Sequence, residues 1–337
     1  MLHRFAQFVA GCTVLLLLAG SLVTSTGSGL SVPDWPTSYG WNMFTFPPSK
    51  WVGGIFYEHG HRLIASTVGF LTIILAAWLW RRESRRWMNW LGVIALVAVV
   101  AQGLLGGLTV KFFLPPAVST AHAGLAEIFF CLVVAIALFT SPGWIENDTR
   151  GVRLEADHLW LKPDPTYALR TIATATTALI YVQILLGATM RHTGAGLAIP
   201  DFPLMFGRLV PPFWNAGIAI HFAHRVGAAI VLISVLATVW HAWSRHRDRR
   251  ALTRPATLLA ALVAVQITLG ALNVLSRLDV WINSAHVVCG ALVLTTSLVL
   301  TLRAWRVAFL DRTVRLEADP TPIVRGVRLQ PDHQARA

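Results

Sequence analysis

The sequence predicts an all-α integral membrane protein whose eight transmembrane helices form two tandem four-helix bundles, related by a pseudo-twofold axis along the membrane normal. Three observations support this fold class: the composition, eight long apolar segments and an internal duplication. Of the 337 residues, 55% are hydrophobic and only 13% are charged, whereas about a quarter of the residues in a soluble domain carry a charge. The composition therefore excludes an ordinary soluble domain.

The apolar segments are long enough to cross a bilayer, which takes about 20 mostly apolar residues in a helix. The first segment resembles a signal peptide, but no small-residue cleavage site precedes a soluble domain, so we interpret it as a span. The eight predicted spans are approximately 6–25, 58–80, 88–110, 118–140, 169–190, 217–240, 256–276 and 281–303.

The basic residues predict how the chain is oriented. The net charge of +12 comes mainly from arginines, which cluster in the connections 81–86, 141–168 and 241–254 and in the tail after residue 302. The positive-inside rule then places both termini in the cytoplasm and the intervening long loops, 25–57 and 191–216, outside. Because the charge lies in connections between apolar segments, it indicates membrane topology and not a nucleic-acid-binding surface.

The two halves of the chain share four motifs in the same order. Residues 26–36 parallel 193–203, His61-Arg62 parallels His224-Arg225, 102–106 parallels 266–270 and 119–122 parallels 283–286, with offsets of 167, 163, 164 and 164 residues. Each copy contains four spans, an even number, so both copies enter the membrane in the same direction. We therefore divide the chain into an N-terminal bundle, a cytoplasmic linker, a C-terminal bundle and a polar cytoplasmic tail, at 1–145, 146–168, 169–305 and 306–337.

One histidine lies near the outer end of each even-numbered span: His61, His122, His224 and His286. Two imidazoles from different helices at equal depth can hold a haem iron from both sides, and we predict haem ligation by both pairs. The alternative for any one of them is a histidine that snorkels to the interface or caps a helix. Zinc is disfavoured, because no cysteine or further ligand completes a tetrahedral set.

Other polar residues accompany the predicted ligands. Arg62 and Arg225 each follow a ligand directly and are candidate anchors for haem propionates, with lipid headgroup contact as the alternative. His221 shares a helix face with His224 and is a candidate to support it.

Two membrane-level carboxylates occur only in the first half. Glu58 lies three residues from His61 on the same helical face and can move protons beside a bound haem. Glu127, whose counterpart is Ala291, is either a functional acid or a partner for a neighbouring helix. His59 points away from the face of Glu58 and is interpreted as interfacial. The asymmetry predicts chemistry in the first half, and electron supply or structure in the second.

On these residues the sequence resembles the haem A synthase family. The resemblance covers about residues 6–303 and rests on eight spans in two repeats, the Glu58-x-x-His61-Arg62 motif and the other three histidines. It implies an oxidoreductase that converts the C8 methyl group of haem O into a formyl group, giving haem A, by successive hydroxylations through an alcohol and a gem-diol. It implies that His61 and His122 flank the substrate haem, that His224 and His286 are axial ligands of a haem b, and that Glu58 is catalytic.

The resemblance also implies a biological setting. It suggests the bacterial inner membrane, haem sites toward the outer face, a haem O synthase upstream and cytochrome oxidase assembly downstream. The oxygen source, molecular oxygen or water, stays open, as do the electron donor and homo-oligomerisation. Some bacterial members carry a cysteine pair in the first outer loop, but 25–57 contains no cysteine, so a disulfide relay there cannot operate in this chain.

Two other function classes fit part of the pattern. A quinol-linked di-haem b-type electron carrier would use the four histidines equally well, but it gives no reason for an acid in only one half. A transporter built from repeats leaves the histidine pairs unexplained. Haem A or its alcohol precursor, found in cells that make haem O and express the chain, would favour the synthase.

Overall fold

The computed structural model describes residues 1–145 and 165–317, with side chains from 168 to 306 in the second range. Each predicted span corresponds to one long helix in these residues, which confirms the all-α membrane architecture. The helices are α1 (Leu2–Ser25), α2 (Gly54–Arg82), α3 (Arg86–Lys111), α4 (Pro116–Phe139), α5 (Pro165–His192), α6 (Ala216–Arg245), α7 (Arg250–Leu275) and α8 (Val280–Glu317). Most of the predicted linker, 146–164, and the end of the predicted tail, 318–337, lie outside the described residues.

The helices pack in the order that two successive bundles require. In the first half α1 packs against α2 and α4, and α3 packs against the same two helices; α5 to α8 repeat this arrangement. The halves meet where α1 contacts α8 and where α4 contacts α5 and α8. We call this contact the seam. The pseudo-twofold axis itself stays a prediction.

Two long loops lie at one end of the molecule, which we call the loop end. Loop A (26–53) connects α1 to α2, and loop B (193–215) connects α5 to α6. The even-numbered helices therefore all begin at the loop end. Their predicted ligand histidines lie about two helical turns inside it, so all four occupy a similar depth.

The short connections at the loop end have the same backbone in both halves. Phe113 and Leu114, after α3, and Arg277 and Leu278, after α7, adopt left-handed φ angles between 56° and 67°, which are uncommon for residues other than glycine. Leu114 and Leu278 donate their N–H groups to carbonyls five residues earlier at 2.7 and 2.8 Å, the bond that closes a Schellman motif. The histidine-bearing helices α4 and α8 thus start from equivalent turns.

The cores of the two bundles differ in polarity. The first bundle buries Val9 of α1 against Leu75 of α2 within an aliphatic cluster. The matching positions of the second bundle are Thr176 and Thr238, whose hydroxyl oxygens lie 2.8 Å apart. Further hydroxyl contacts join α5 to α8, between Thr177 and Ser297 and between Thr177 and Thr301. Such bonds between membrane helices each contribute about 0.6 kcal/mol.

A glycine lets the two halves approach closely at the seam. Gly124 of α4 faces α5, where a Cβ atom would lie 2.6 Å from Cδ2 of Leu185 and 3.2 Å from the hydroxyl of Tyr181. That hydroxyl donates to the carbonyl of Gly124 at 3.4 Å. Small residues at such a crossing allow backbones to pack closely in a membrane.

We predict that replacing Gly124 by leucine destabilises the contact between the halves. The added side chain would overlap α5, and overpacking of this kind costs about 1–3 kcal/mol. The measurement is the thermal unfolding of the detergent-solubilised protein. Gly11→Leu is the control, because a side chain at Gly11 meets no atom within 4 Å; equal melting temperatures for the two variants would contradict the prediction.

Candidate functional site

The four predicted ligand histidines form two pairs at the loop end. The imidazole of His61 lies within electrostatic reach of His122, and that of His286 lies within reach of His224. Each pair belongs to one bundle and joins its two even-numbered helices. The pairing that the repeat spacing predicts therefore has a geometric counterpart in each half.

Every one of these histidines lies against a glycine of the preceding helix. A Cβ atom at the glycine would lie only 2.8 to 3.2 Å from Cε1 of the ring, which is closer than ordinary van der Waals contact. A side chain in place of Gly20 or Gly187 would displace the ring, and one in place of Gly106 or Gly270 would press against it. The four contacts are Gly20 with His61, Gly106 with His122, Gly187 with His224 and Gly270 with His286.

These features fit a haem between the members of each pair. Nδ1 of His61, His122 and His286 is buried and has no hydrogen-bond partner in the described part of the chain, so each of these rings keeps one polar atom unsatisfied. Among the residues described, no three His, Cys, Asp or Glu side chains group as they would around a bare metal ion. Paired imidazoles suit an iron whose remaining ligands come from a porphyrin.

Gln183 gives His224 a polar neighbour that His61 lacks. Its amide nitrogen lies 3.0 Å from Nδ1 of His224 and donates to the carbonyl oxygen of the same residue at 2.8 Å. The corresponding residue of α1 is the apolar Leu16. The amide N–H donates to Nδ1, which fixes the plane of the ring and places the ring proton on Nε2. With the amide turned so that Oε1 accepts Nδ1–H, the same residue would leave Nε2 for a ligand.

Gln102 and Gln266 each contact a histidine-bearing helix from the preceding helix. Gln102 of α3 donates to the carbonyl oxygen of His122 at 2.8 Å. The amide nitrogen of Gln266, on α7, lies 3.3 Å from Nε2 of His286. Both glutamines therefore hold a histidine-bearing helix in place.

Glu58 and Arg62 fasten loop A to α2. They form a buried ion pair, with Nη2 of Arg62 2.6 Å from Oε1 of Glu58. The other carboxylate oxygen accepts the N–H of Val32 at 2.7 Å. The two terminal amino groups of Arg62 also donate to the carbonyls of Val32, Asp34 and Thr37 at 2.7–3.0 Å.

His221 and Arg225 fasten loop B to α6 in the same way. Nδ1 of His221 accepts the N–H of Ile199 at 3.3 Å, as Glu58 does for loop A. Arg225 donates to the carbonyls of Ile199, Asp201 and Leu204 at 2.7–3.3 Å. An imidazole thus replaces a carboxylate as the acceptor while the loop keeps its attachment.

The contacts of Arg62 and Arg225 are with loop backbone. Their predicted role as propionate anchors stays a prediction, as does support of His224 by His221. The guanidinium groups already have several acceptors, so a propionate would have to share them.

The prediction that His59 is interfacial is wrong. Its side chain is fully buried, with Nδ1 3.1 Å from the hydroxyl of Ser38. The rings of Phe46 and Trp51 pack against it, with centroids 4.9 and 4.8 Å away. Loop A folds back over α2 and covers the side of the helix on which His59 lies.

Glu127 lies at the seam. Its side chain is 4% exposed and Oε2 has no hydrogen-bond partner in the described part of the chain. Cys131, on the same helix, and Tyr181 of α5 are within electrostatic reach. Glu127 therefore lies between the two halves, and its role as a functional acid stays a prediction.

Sequence reasoning missed the four glycines, Gln183 and Arg191. The glycines carried a signal, because Gly20 and Gly187 differ by 167 residues and Gly106 and Gly270 by 164, as the loop and histidine motifs do. Gln183 and Arg191 carried none, since Leu16 and Thr24 occupy the matching positions of the first half.

A turn in loop A is held by Asp34. Its carboxylate accepts the N–H groups of Tyr39 and Gly40 at 2.7 and 2.9 Å and the hydroxyl of Thr37 at 2.5 Å. Partial burial acts to raise the pKa of this carboxyl, but the hydrogen bonds outweigh it and hold the pKa below its ordinary value.

The equivalent turn in loop B is held by Asp201. Its carboxylate accepts the N–H groups of Phe206 and Gly207 at 2.7 and 2.8 Å. The bond from Gly207, together with that from Phe206, lowers the pKa of Asp201. The folded pKa of both aspartates therefore lies below the unfolded one. Their contribution to loop stability is fully present above about pH 4 and is lost as the pH falls through the folded values.

Known proteins resemble the chain over most of its length. The model of the COX15-CtaA family, described as a cytochrome oxidase assembly protein, matches residues 49–298. A protein of Geobacillus kaustophilus named heme A synthase is 30% identical over 311 residues, which cover 90% of this chain and 93% of that protein. Proteins with the same name from Symbiobacterium thermophilum and Shouchella clausii are 32% and 31% identical over 288 and 279 residues, covering 83% and 82% of this chain and 89% and 87% of theirs.

We predict that Asp34→Asn loosens the turn of loop A alone. The amide replaces one charged acceptor, and a hydrogen bond to a charged group contributes about 1.5–3 kcal/mol. Amide hydrogen exchange of Tyr39 and Gly40 at neutral pH should rise about tenfold. Asp201→Asn is the control, since it should affect Phe206 and Gly207 instead; unchanged exchange of all four amides would refute the assignment.

Proposed function

The chain belongs to the COX15-CtaA family and acts as a membrane oxidoreductase of the haem A synthase type, and we propose that its two halves contribute differently to the reaction. The enzyme takes haem O as substrate and yields haem A, which links it to cytochrome oxidase assembly. The multi-pass architecture agrees with a substrate that is itself apolar. The relatives do not favour the di-haem electron carrier.

The N-terminal bundle, 1–145, binds haem O between His61 and His122. The C-terminal bundle, 169–305, holds a haem b between His224 and His286. The observation that supports both assignments is that each paired imidazole contacts a glycine of the preceding helix and lies within electrostatic reach of its partner. When bound, the haem b supplies one-electron redox chemistry.

Glu58 is the acid that serves the reaction in the first half. Its two oxygens are held by Arg62 and by the N–H of Val32, so the carboxylate has a fixed position one turn from His61. A fixed carboxylate next to the substrate can accept or return a proton as the methyl group is oxidised. The second half offers His221 at this place, where the same attachment of the loop needs no carboxylate.

Gln183 specialises the second half for a resident haem. Its amide contacts His224 at Nδ1 and thereby orients the ring. With Oε1 of the amide turned to accept Nδ1–H, Gln183 would hold the ring with Nε2 available to a haem iron. The first half, with Leu16 instead, leaves His61 free of this constraint and is suited to a haem that must enter and leave.

The remaining assignments concern orientation. Both termini and the basic connections lie in the cytoplasm, because the positive-inside rule favours arginine there, and the membrane is the bacterial inner membrane. The loop end then faces outward, with both haem sites near that surface. Arg62 and Arg225 attach the loops over these sites and share their N–H groups with the propionates, while Glu127 contributes from the seam.

We predict that substitutions in the two histidine pairs have different effects on haem binding and on the conversion of haem O. His224→Ala and His286→Ala should abolish the b-type absorption of the purified protein, because each removes an axial ligand. His61→Ala and His122→Ala should keep that absorption but abolish conversion of haem O. Haem extraction from cells that make haem O, together with visible spectra, measures both; equal loss of b-type haem in all four variants would contradict the division.

Glu58→His separates chemistry from loop attachment. The second half uses histidine at this place, and His221 accepts the loop N–H through Nδ1, so the variant should keep loop A attached. Loss of the carboxylate should lower haem A formation by about a hundredfold or more, the range for a general acid or base.

The reciprocal variant His221→Glu provides the matched control and should leave haem A formation near its original level. Hydrogen exchange of the Val32 amide reports the attachment of loop A. Full activity in Glu58→His, with the Val32 amide still protected, would remove the catalytic role of Glu58 and leave it as a loop anchor.

A further inference from the structure

Arg191 differs from the other arginines near the histidine pairs. Arg62 and Arg225 donate to the carbonyls of the loops they fasten. Arg191 lies instead in the last turn of α5, and the matching residue of the first half is Thr24. The duplication therefore has a cation here in one copy only.

The contacts of Arg191 place it where three helices meet. Nη2 donates to the carbonyl of Ser21 at 2.8 Å and to the hydroxyl of Ser25 at 2.7 Å, both on α1. The hydroxyl of Ser25 lies 3.1 Å from that of Ser284 on α8. The side chain is thus held in a defined position at the loop end of the seam.

Arg191 also lies close to the histidine pair of the second half. Gly187, whose backbone lies against the ring of His224, precedes Arg191 by four residues and shares its helix face. Ser284 precedes His286 by two residues, and Arg191 is within electrostatic reach of that imidazole. The guanidinium therefore stands one turn outward from the gap between His224 and His286.

The charge of Arg191 is not matched by an acid. Within 1–145 and 168–306, no Asp or Glu side chain forms an ion pair with Arg191, whereas Arg62 pairs with Glu58. The hydrogen bonds of Arg191 use only Nη2. A partly buried cation at a membrane interface is costly without a negative partner, so the site lacks an anion that the described residues do not supply.

We propose that Arg191 binds a propionate carboxylate of the haem held in the C-terminal half. The proposal rests on the placement of haem b between His224 and His286. A guanidinium binds a carboxylate through two N–H groups, and the propionates are the anionic groups at the edge of a haem. A haem held between this pair with its propionates toward the loop end would have Arg191 available as a carboxylate partner.

The alternative is that Arg191 only ties α5 to α1. The tie uses one amino group and needs no charge, since a serine hydroxyl and a carbonyl accept from any donor. A propionate partner instead makes the charge matter for the haem. The cation disfavours the oxidised iron, which carries one more positive charge, so it raises the reduction potential.

The test compares Arg191→Gln with Arg277→Gln in the full-length, detergent-solubilised protein. Arg277 is an exposed arginine at the same end of the molecule. Arg191→Gln should lower the midpoint potential of the b-type haem and weaken its retention by about tenfold, the worth of a charge-assisted hydrogen bond. Arg191→Lys should keep most of the potential, and Arg277→Gln should match the original protein.

The outcomes distinguish this inference from the proposed function. If the unmodified protein binds no b-type haem, both the placement of haem b and the propionate site at Arg191 are refuted. If haem is bound but Arg191→Gln and Arg277→Gln have the same potential and the same retention, the placement stands and the propionate site is refuted.

A second measurement applies if Arg191→Gln does not fold. The unmodified protein, produced without haem, is loaded with iron protoporphyrin IX or with its dimethyl ester, in which the propionates are uncharged. Weaker retention and a changed potential for the ester, with a smaller difference in Arg191→Lys, support the site. Equal behaviour of the two haems in the unmodified protein overturns it.

Discussion

The contact between each imidazole and a glycine is the constraint on which the site depends. At 2.8–3.2 Å from Cε1 to the place of a Cβ atom, the preceding helix cannot carry a side chain without moving the ring or the helix. Packing at this density transmits such shifts instead of absorbing them. The spacing between each histidine-bearing helix and the helix before it, and the position of the ring, therefore determine each other.

The sequence was sufficient for features that repeat or that depend on composition. Length and hydrophobicity identified the eight spans, and the two equal spacings selected four histidines out of twelve. The sequence was insufficient to predict which residues a loop covers when it packs against a helix. Periodicity assigns His59 to a face of α2 but cannot reveal that Phe46 and Trp51 cover it, and the charge of Arg62 does not show that loop carbonyls turn toward it. Arg191 and Gln183 have different residues, Thr24 and Leu16, at the matching positions of the first half, so only tertiary packing reveals their neighbours.

The duplication has kept its framework while changing its chemistry. A carboxylate and an imidazole both accept an N–H group, which allows Glu58 and His221 to fasten equivalent loops with different acid–base properties. Near the second ligand pair, Gln183 occupies the space beside Gly227, whereas Leu16 and Ile64 stand at the matching positions of the first half. The exchange is coupled, because the amide fits only where the facing residue has no side chain.

The seam contains the contacts that link the two histidine pairs. Arg191 lies within electrostatic reach of His286, and the next residue, His192, lies within reach of His122, so the last turn of α5 adjoins both pairs. Further inward, Tyr181 of α5 contacts Gly124 of α4. Gly124 is two residues from His122, and Tyr181 is two residues from Gln183. Helix α5 therefore cannot move relative to one pair without moving relative to the other. Oxidation of a methyl group requires electrons to move to or from the substrate site, and the haem proposed for the second half would exchange them over a short, constant distance. The close crossing of α4 and α5 at Gly124 and Tyr181 is where the two halves would be held at that distance.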